Sequence, residues 1–129
     1  MSQLTGLSVE QIQADRLGVV QDYARKWRKV VVLKGANTLV GDPNGTVWIS
    51  SVANPALASA GTGDVLSGII LGFTSQGLSL ADSAVLGVYV HGAAGGLISE
   101  RTGPSGLLAS DLVLELPNAI SFLRKNCSD

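Results

Sequence analysis

Residues 54–64 read N-P-A-L-A-S-A-G-T-G-D, and V-L-S-G-I-I-L-G-F follows over residues 65–73. In the second stretch Leu66, Ile69, Ile70 and Phe73 recur at i, i+3, i+4 and i+7, which predicts a helix from about Gly63 to Ser75. The first stretch therefore sets small residues, glycines and one carboxylate where a helix begins. Without bulky side chains in the way, backbone N–H groups at a helix start can converge on a bound anion, and the helix dipole favours negative charge there. Gly61, Thr62 and Gly63 are the natural cradle. Asp64 has two readings. A carboxylate in the first turn of a helix is stabilised by the dipole whatever else it does. It can equally accept the proton of a hydroxyl about to attack a phosphorus atom. G-T-G-D is too short a motif for spacing alone to choose.

Upstream, Val30 to Leu33 is a wholly apolar, β-branched run, the pattern of a strand covered on both faces. Lys34-Gly35 lies just past its C-terminal end, where open α/β sheets bind ligands. A lysine there either snorkels along the surface or faces a nucleotide phosphate, and Gly35 with Asn37-Thr38 favours the second reading. Thr38–Gly41 and Thr46–Ile49 read as two short strands joined at Asp42-Pro43-Asn44-Gly45, hence a hairpin. Before them, Ser8 and Gln11 form a capping-box pattern. Ile12, Val19, Val20, Tyr23 and Trp27 then predict one amphipathic helix over 9–27.

Downstream, Gly68 and Gly72 sit four apart on the predicted helix and invite another element to pack closely, and Gly77 ends it. Ser79 caps a second helix, about Leu80 to Glu100, apolar on nearly every side and so buried. His91 within it reads as a hydrogen-bonded core histidine. Thr102 to Gly106 is a loop. A last helix is predicted from a cap at Ser110 to about Lys125, kinked or broken at Pro117. Trp27 and Trp48 read as packing residues.

Composition bounds the function. The chain has 129 residues, 46% of them hydrophobic, with nine basic against ten acidic residues and a net charge of −1. That balance carries no electrostatic footprint for nucleic acid or an anionic membrane. The 16 glycines are well above the usual share of about 7%, as expected where backbone approaches a ligand. The single cysteine, Cys127, excludes an internal disulfide framework and fits a reducing compartment, as an inert thiol. The first fifteen residues lack the basic start and apolar run of a secretory signal. The longest apolar stretch, Ala84 to Ile98, is interrupted by His91 and glycines and is too short to span a bilayer. A soluble, cytoplasmic chain is expected.

V-V-L-K-G-A-N-T at 31–38 and N-P-A-L-A-S-A-G-T-G-D-V-L-S-G-I at 54–69 together resemble the C-terminal half of the ADP-dependent NAD(P)H-hydrate dehydratases, members of the ribokinase-like, carbohydrate-kinase-related superfamily. The likeness extends to S-V-E-Q-I-Q-A-D-R at 8–16, L-G-V-Y-V-H-G-A-A-G at 86–95 and G-L-L-A-S-D-L at 106–112. It implies a lyase that repairs hydrated NADH and NADPH with ADP, or ATP in some relatives, as phosphoryl donor. Lys34, Gly35, Ala36, Asn37 and Thr38 match the family's first nucleotide-binding segment. Asn54, Pro55, Ala56, Leu57, Ala58, Ser59, Ala60, Gly61, Thr62 and Gly63 match the second. Asp64 matches the residue that contacts the hydrated nicotinamide and serves as base. Mg²⁺ is implied by nucleotide phosphates rather than by any ligand cluster.

Family members are longer chains, and their N-terminal half supplies most of a parallel sheet and a His-Pro-Gly-Glu segment that contacts substrate. No His-Pro-Gly-Glu occurs here. The expectation is a single partial domain over 1–129: an α/β, C-terminal half of a ribokinase-like layered fold, with short strands and an antiparallel hairpin packed against three or four helices. Its strand at 30–33 would offer an open edge, and it would pair with a missing N-terminal half or with itself as a homo-oligomer. Two other functions stay open. One is a sugar or vitamin kinase of the same superfamily; the other is a non-catalytic nucleotide-binding or assembly module.

Overall fold

The computed structural model describes residues 1–103 and 105–126; Cys127 and Pro104 lie outside the described residues. In chain order the elements are α1 (Ser2–Thr5), α2 (Val9–Ala14), α3 (Arg16–Trp27), β1 (Val31–Leu33), β2 (Leu39–Gly41), β3 (Val47–Ile49), a 3₁₀ turn (Pro55–Ala58), α4 (Thr62–Ser75), α5 (Leu80–Thr102) and α6 (Ala109–Asn126). The sheet runs β1-β2-β3, antiparallel throughout, with Val32 opposite Val40 and Val40 opposite Trp48. The β2–β3 hairpin closes at the predicted turn, where Gly45 N–H donates to Asp42 O at 2.9 Å. β1 lies at an edge of the sheet, the open edge expected of a strand without its usual family neighbour.

Helices cover both faces of that sheet. Leu33 and Leu39 pack with Ile12 of α2 and Val20 of α3 on one side. Val32 and Val40 meet Leu66 of α4 and Ala84 and Val88 of α5 on the other. Behind this second layer, α5 and α6 build the largest apolar cluster, with Val90, Ala94, Ile98, Leu107, Leu112 and Ala119 buried. The Arg101 guanidinium donates to Glu115 and ties these helices together; Glu115 is buried beneath it and also accepts from Asn118 Nδ2 at 3.1 Å. None of the described helices is long and apolar enough to cross a membrane.

The capping box at Ser8 and Gln11 is formed, with bonds of 3.2 and 2.8 Å. Ser79 caps α5, accepting from Asp82 N–H at 3.1 Å. Trp27 stacks tilted on Tyr23 at 4.8 Å, and Trp48 lies on the outer strand. Four expectations need correction. The predicted helix over 9–27 breaks at Asp15, whose carboxylate accepts from Gly18 N–H at 2.9 Å and starts a new helix. With the short α1 the described residues hold six α-helices, and four of them, α2 to α5, pack against the sheet as expected. Ser110 does not cap α6; Asp111 accepts from Leu108 N–H at 2.9 Å, and the helix begins at Ala109, two residues earlier than a cap at Ser110 would place it. Pro117 does not end α6, which continues to Asn126. A β-carbon on Gly68 or Gly72 would meet nothing within 4 Å, so no described element packs closely there.

Candidate nucleotide site

The loop after β1 and the segment before α4 converge on one cavity of ≈ 350 Å³. From the first come Lys34, Gly35, Ala36 and Thr38; from the second, Asn54, Pro55, Leu57 and Ala58. Leu66, Val52 and Val88 supply apolar wall, and His91 and Gly92 of α5 close it.

Each loop has a local reason for its shape. Thr38 Oγ1 folds back to donate to Gly35 O at 3.1 Å, and Asn37, in the left-handed region at φ 52°, donates its side-chain amide to Ser50 O at 2.9 Å. Arg16, at the start of α3, reaches across to donate to Ala36 O at 2.5 Å and Leu33 O at 3.3 Å. In the second segment Asn54 Oδ1 accepts from Ala56 N–H at 3.0 Å and nucleates the 3₁₀ turn. That segment can lie on α5 because Gly92 and Gly95 leave room. A β-carbon on Gly95 would stand 2.6 Å from Leu57, and one on Gly92 3.0 Å from Val52. Two of the three glycines of L-G-V-Y-V-H-G-A-A-G are therefore spaces for the loop, and the third, Gly87, makes room for Ile70 of α4.

Leu57 O is the junction. It accepts from Lys34 Nζ at 2.6 Å and lies 2.8 Å from Thr62 Oγ1. Lys34 is thus exposed but not free: it clasps the second segment, and partial desolvation holds its ammonium below the ordinary lysine pKa. Its stem passes beside Gly63, where a β-carbon would lie 3.9 Å from Lys34 Cδ.

The helix start is more closed than the sequence implied. Gly61 sits at φ 81°, a left-handed conformation that suits glycine. Thr62 is fully buried, its hydroxyl also 2.8 Å from Ser59 O, its N–H turned toward that carbonyl at 3.4 Å, and its own carbonyl 2.9 Å from His91 Nε2. Asp64 N–H is bonded to Gly61 O at 3.1 Å. Within the expected cradle Gly61 and Gly63 keep amides with no protein acceptor, and Thr62 instead braces the turn. Asp64 is exposed and forms no ion pair among the described residues, so its carboxylate is available.

Of the remaining residues named from sequence, Ala56 is buried in the α5–α6 core, and Ser59 donates to Ala56 O at 3.0 Å. Asn37, Ala60, Gly61, Thr62, Gly63 and Asp64 do not line the cavity. Arg16, Ser50, Val52 and Val88 were not singled out, because nothing in their local sequence shows what they meet across the fold. His91 is the core histidine expected, 4% exposed and hydrogen-bonded. It also lines the cavity.

A profile of the NAD(P)H-hydrate dehydratase family matches residues 1–118. The chain belongs to this family. It is 43% identical over 97% of its length to the bifunctional NAD(P)H-hydrate repair enzyme Nnr of Moorella thermoacetica, covering 24% of that protein. It is 34% identical over 95% of its length to the ADP-dependent (S)-NAD(P)H-hydrate dehydratase of Xanthomonas campestris, covering 43% of it. Its fold matches the Bacillus subtilis ADP/ATP-dependent NAD(P)H-hydrate dehydratase, co-crystallised with ATP/Mg²⁺, at a TM-score of 0.89 and 33% identity, over 93% of this chain and 43% of that one. The chain thus spans less than half the length of these relatives, and its fold is that of the ribokinase-like dehydratases.

Proposed function

We propose that this chain carries the nucleotide-gripping part and the base of an ADP-dependent NAD(P)H-hydrate dehydratase. One observation carries the reading: the loops at Lys34–Thr38 and Asn54–Ala58 share a cavity that Leu66 of α4 also lines, and Asp64, in the first turn of that helix, stands exposed with no ion pair among the described residues. A cavity of ≈ 350 Å³ suits part of a nucleotide. Lys34 lines it, and in this reading the Gly61 and Gly63 amides meet the phosphates. Among the described residues no cluster of three or more metal-ligating side chains exists. A Mg²⁺ brought with the nucleotide would neutralise charge on its phosphates.

Asp64 takes the proton of the ring hydroxyl as that oxygen attacks the terminal phosphorus of the donor. The donor's terminal P–O–P linkage breaks and AMP (ADP, when ATP is the donor) departs. The ring oxygen then leaves as phosphate, a far better leaving group than hydroxide, expelled by the ring-nitrogen lone pair. Loss of the proton on the neighbouring ring carbon restores the reduced nicotinamide. Lys34 stabilises charge on the transferring group from a fixed position, since Leu57 O holds its ammonium. Because the relatives are longer, we assign residues 1–129 to one part of a larger domain, completed by further chain or by a second copy.

The test is absorbance at the reduced-nicotinamide band, with hydrated NADH or NADPH, ADP and Mg²⁺ supplied. Asp64→Asn should lower turnover at least about 100-fold while leaving ADP binding intact or tighter, since a repelling carboxylate is gone. Unchanged turnover in that variant would remove Asp64 from the chemistry. ADP binding with no turnover even in the parent chain would favour the non-catalytic nucleotide-binding reading, which the short span relative to the relatives motivates. Release of a phosphorylated product would favour a kinase.

A further inference from the structure

Packing accounts for the glycines of residues 86–95 but not for the histidine among them, because a leucine would fill a buried position without the cost of desolvating a polar ring. The His91 ring has one hydrogen bond, from Nε2 to Thr62 O at 2.9 Å. A carbonyl can only accept, so Nε2 carries the proton, and the neutral ring must present Nδ1 as a lone pair. Burial, above all, pushes the imidazole pKa down, and the Lys34 charge adds to this, so the ring is neutral at physiological pH. No described protein group bonds Nδ1, and that atom is not among those sealed from solvent without a partner. His91 is among the residues that line the cavity.

A lone pair at that wall sorts the ligand's parts. It accepts from an O–H or N–H and repels phosphate oxygens, which have only lone pairs to offer. The anionic end of a nucleotide is therefore directed toward Lys34 and Gly63, and the nucleoside toward His91. We infer that His91 is a ligand-contacting positioning residue: its Nε2–H holds the Thr62 carbonyl, and with it the α4 turn that carries Asp64, while its Nδ1 accepts a hydrogen bond from the nucleoside in the cavity. This deepens the nucleotide reading above and rests on it. The base-bearing turn and the nucleoside are thereby joined through one ring.

His91 is the chain's only histidine, so ¹⁵N-imidazole NMR reports on it without assignment. The free protein should show the Nε2–H tautomer. Saturation with ADP should shift the Nδ1 resonance toward a hydrogen-bonded acceptor, and inorganic pyrophosphate should leave it in place. An Nδ1–H tautomer in the free protein overturns the positioning role. ADP binding, measured by calorimetry on the same sample, without movement of Nδ1 overturns the ligand contact. Failure of the parent chain to bind ADP sinks the nucleotide reading and the ligand contact with it, whereas the tautomer result is independent of it. His91→Gln, whose amide can still donate to Thr62 O, should keep the fold and lose affinity about tenfold or less. His91→Leu should lose more. Equal affinities in the parent and both variants overturn the inference, and should the leucine variant not fold, the glutamine variant and the NMR still decide.

Discussion

Replacing Thr62 by valine removes one hydroxyl and almost nothing else, at the point where the nucleotide loop turns into α4. That hydroxyl is fully buried and lies 2.8 Å from both Leu57 O and Ser59 O. Its single proton serves one carbonyl at a time, so the direct loss is one good hydrogen bond, about 1 kcal/mol. The two acceptors are not left equal. Leu57 O keeps Lys34 Nζ at 2.6 Å, but Ser59 O keeps only the Thr62 N–H at 3.4 Å, beyond the ordinary range. Part of the desolvation cost of a buried carbonyl is therefore added, which brings the total to about 1–3 kcal/mol. Valine's greater apolarity offsets a fraction of that and cannot replace the donor. In urea denaturation of the 129-residue chain the midpoint should fall with an unchanged slope, and the melting temperature should drop by roughly 3–10 °C. Thr62→Ser is the control: it keeps the donor, loses one buried methyl worth about 0.8 kcal/mol, and should retain ADP affinity. If the valine variant were as stable as the parent while the serine variant was weaker, the turn would be held by the methyl group, and the hydroxyl network would be incidental.

Gly61→Ala should cost about 1–2 kcal/mol, because the residue sits at φ 81° and the new carbon would stand 3.1 Å from Ala109; a melt unchanged within error would mean the turn relaxes freely. Arg16→Lys should loosen the loop at Leu33–Ala36 and weaken ADP binding severalfold, since one ammonium cannot reach two carbonyls as the guanidinium fork does; calorimetry with ADP would detect it. Stability should fall with acid in two windows. Burial lowers the His91 pKa below 6.5, so this contribution is complete above that value and is lost as pH falls toward the lowered folded one, the unfolded chain alone taking the proton. The Arg101 hydrogen bond lowers Glu115 below 4.5, so its contribution is complete above 4.5 and lost as pH falls through its folded value. Glu115→Gln should flatten only the more acidic window in urea midpoints taken across pH, and a drop of the same size in both windows would assign the effect elsewhere.

Local physics made much of this chain readable. A β-branched apolar run with nothing polar in it had to be a strand covered on both faces, and Val31–Leu33 is one, lying between α3 and α4–α5. Asp-Pro-Asn-Gly could only be a turn, and Ser8 and Ser79 announced helix starts through the donors they satisfy. The two loops that share the cavity were legible because glycine and small residues at a strand end and a helix start leave backbone exposed for an anion. Periodicity runs Asp15 into one longer helix, because it is blind to a side chain that caps the next helix instead of continuing the last.

What the sequence could not supply were distances between residues far apart along the chain. His91 and Thr62 are 29 positions apart and Arg16 and Ala36 are 20, and no periodicity links such pairs. Nor could composition say that Thr62, placed in an anion cradle by its neighbours, would turn its hydroxyl inward to brace that cradle while Lys34 clasped Leu57. Elements follow from preferences that act over a few residues, so the sequence alone determined them. A site depends on which carbonyl finds which donor when those elements pack, and only the tertiary structure decided that.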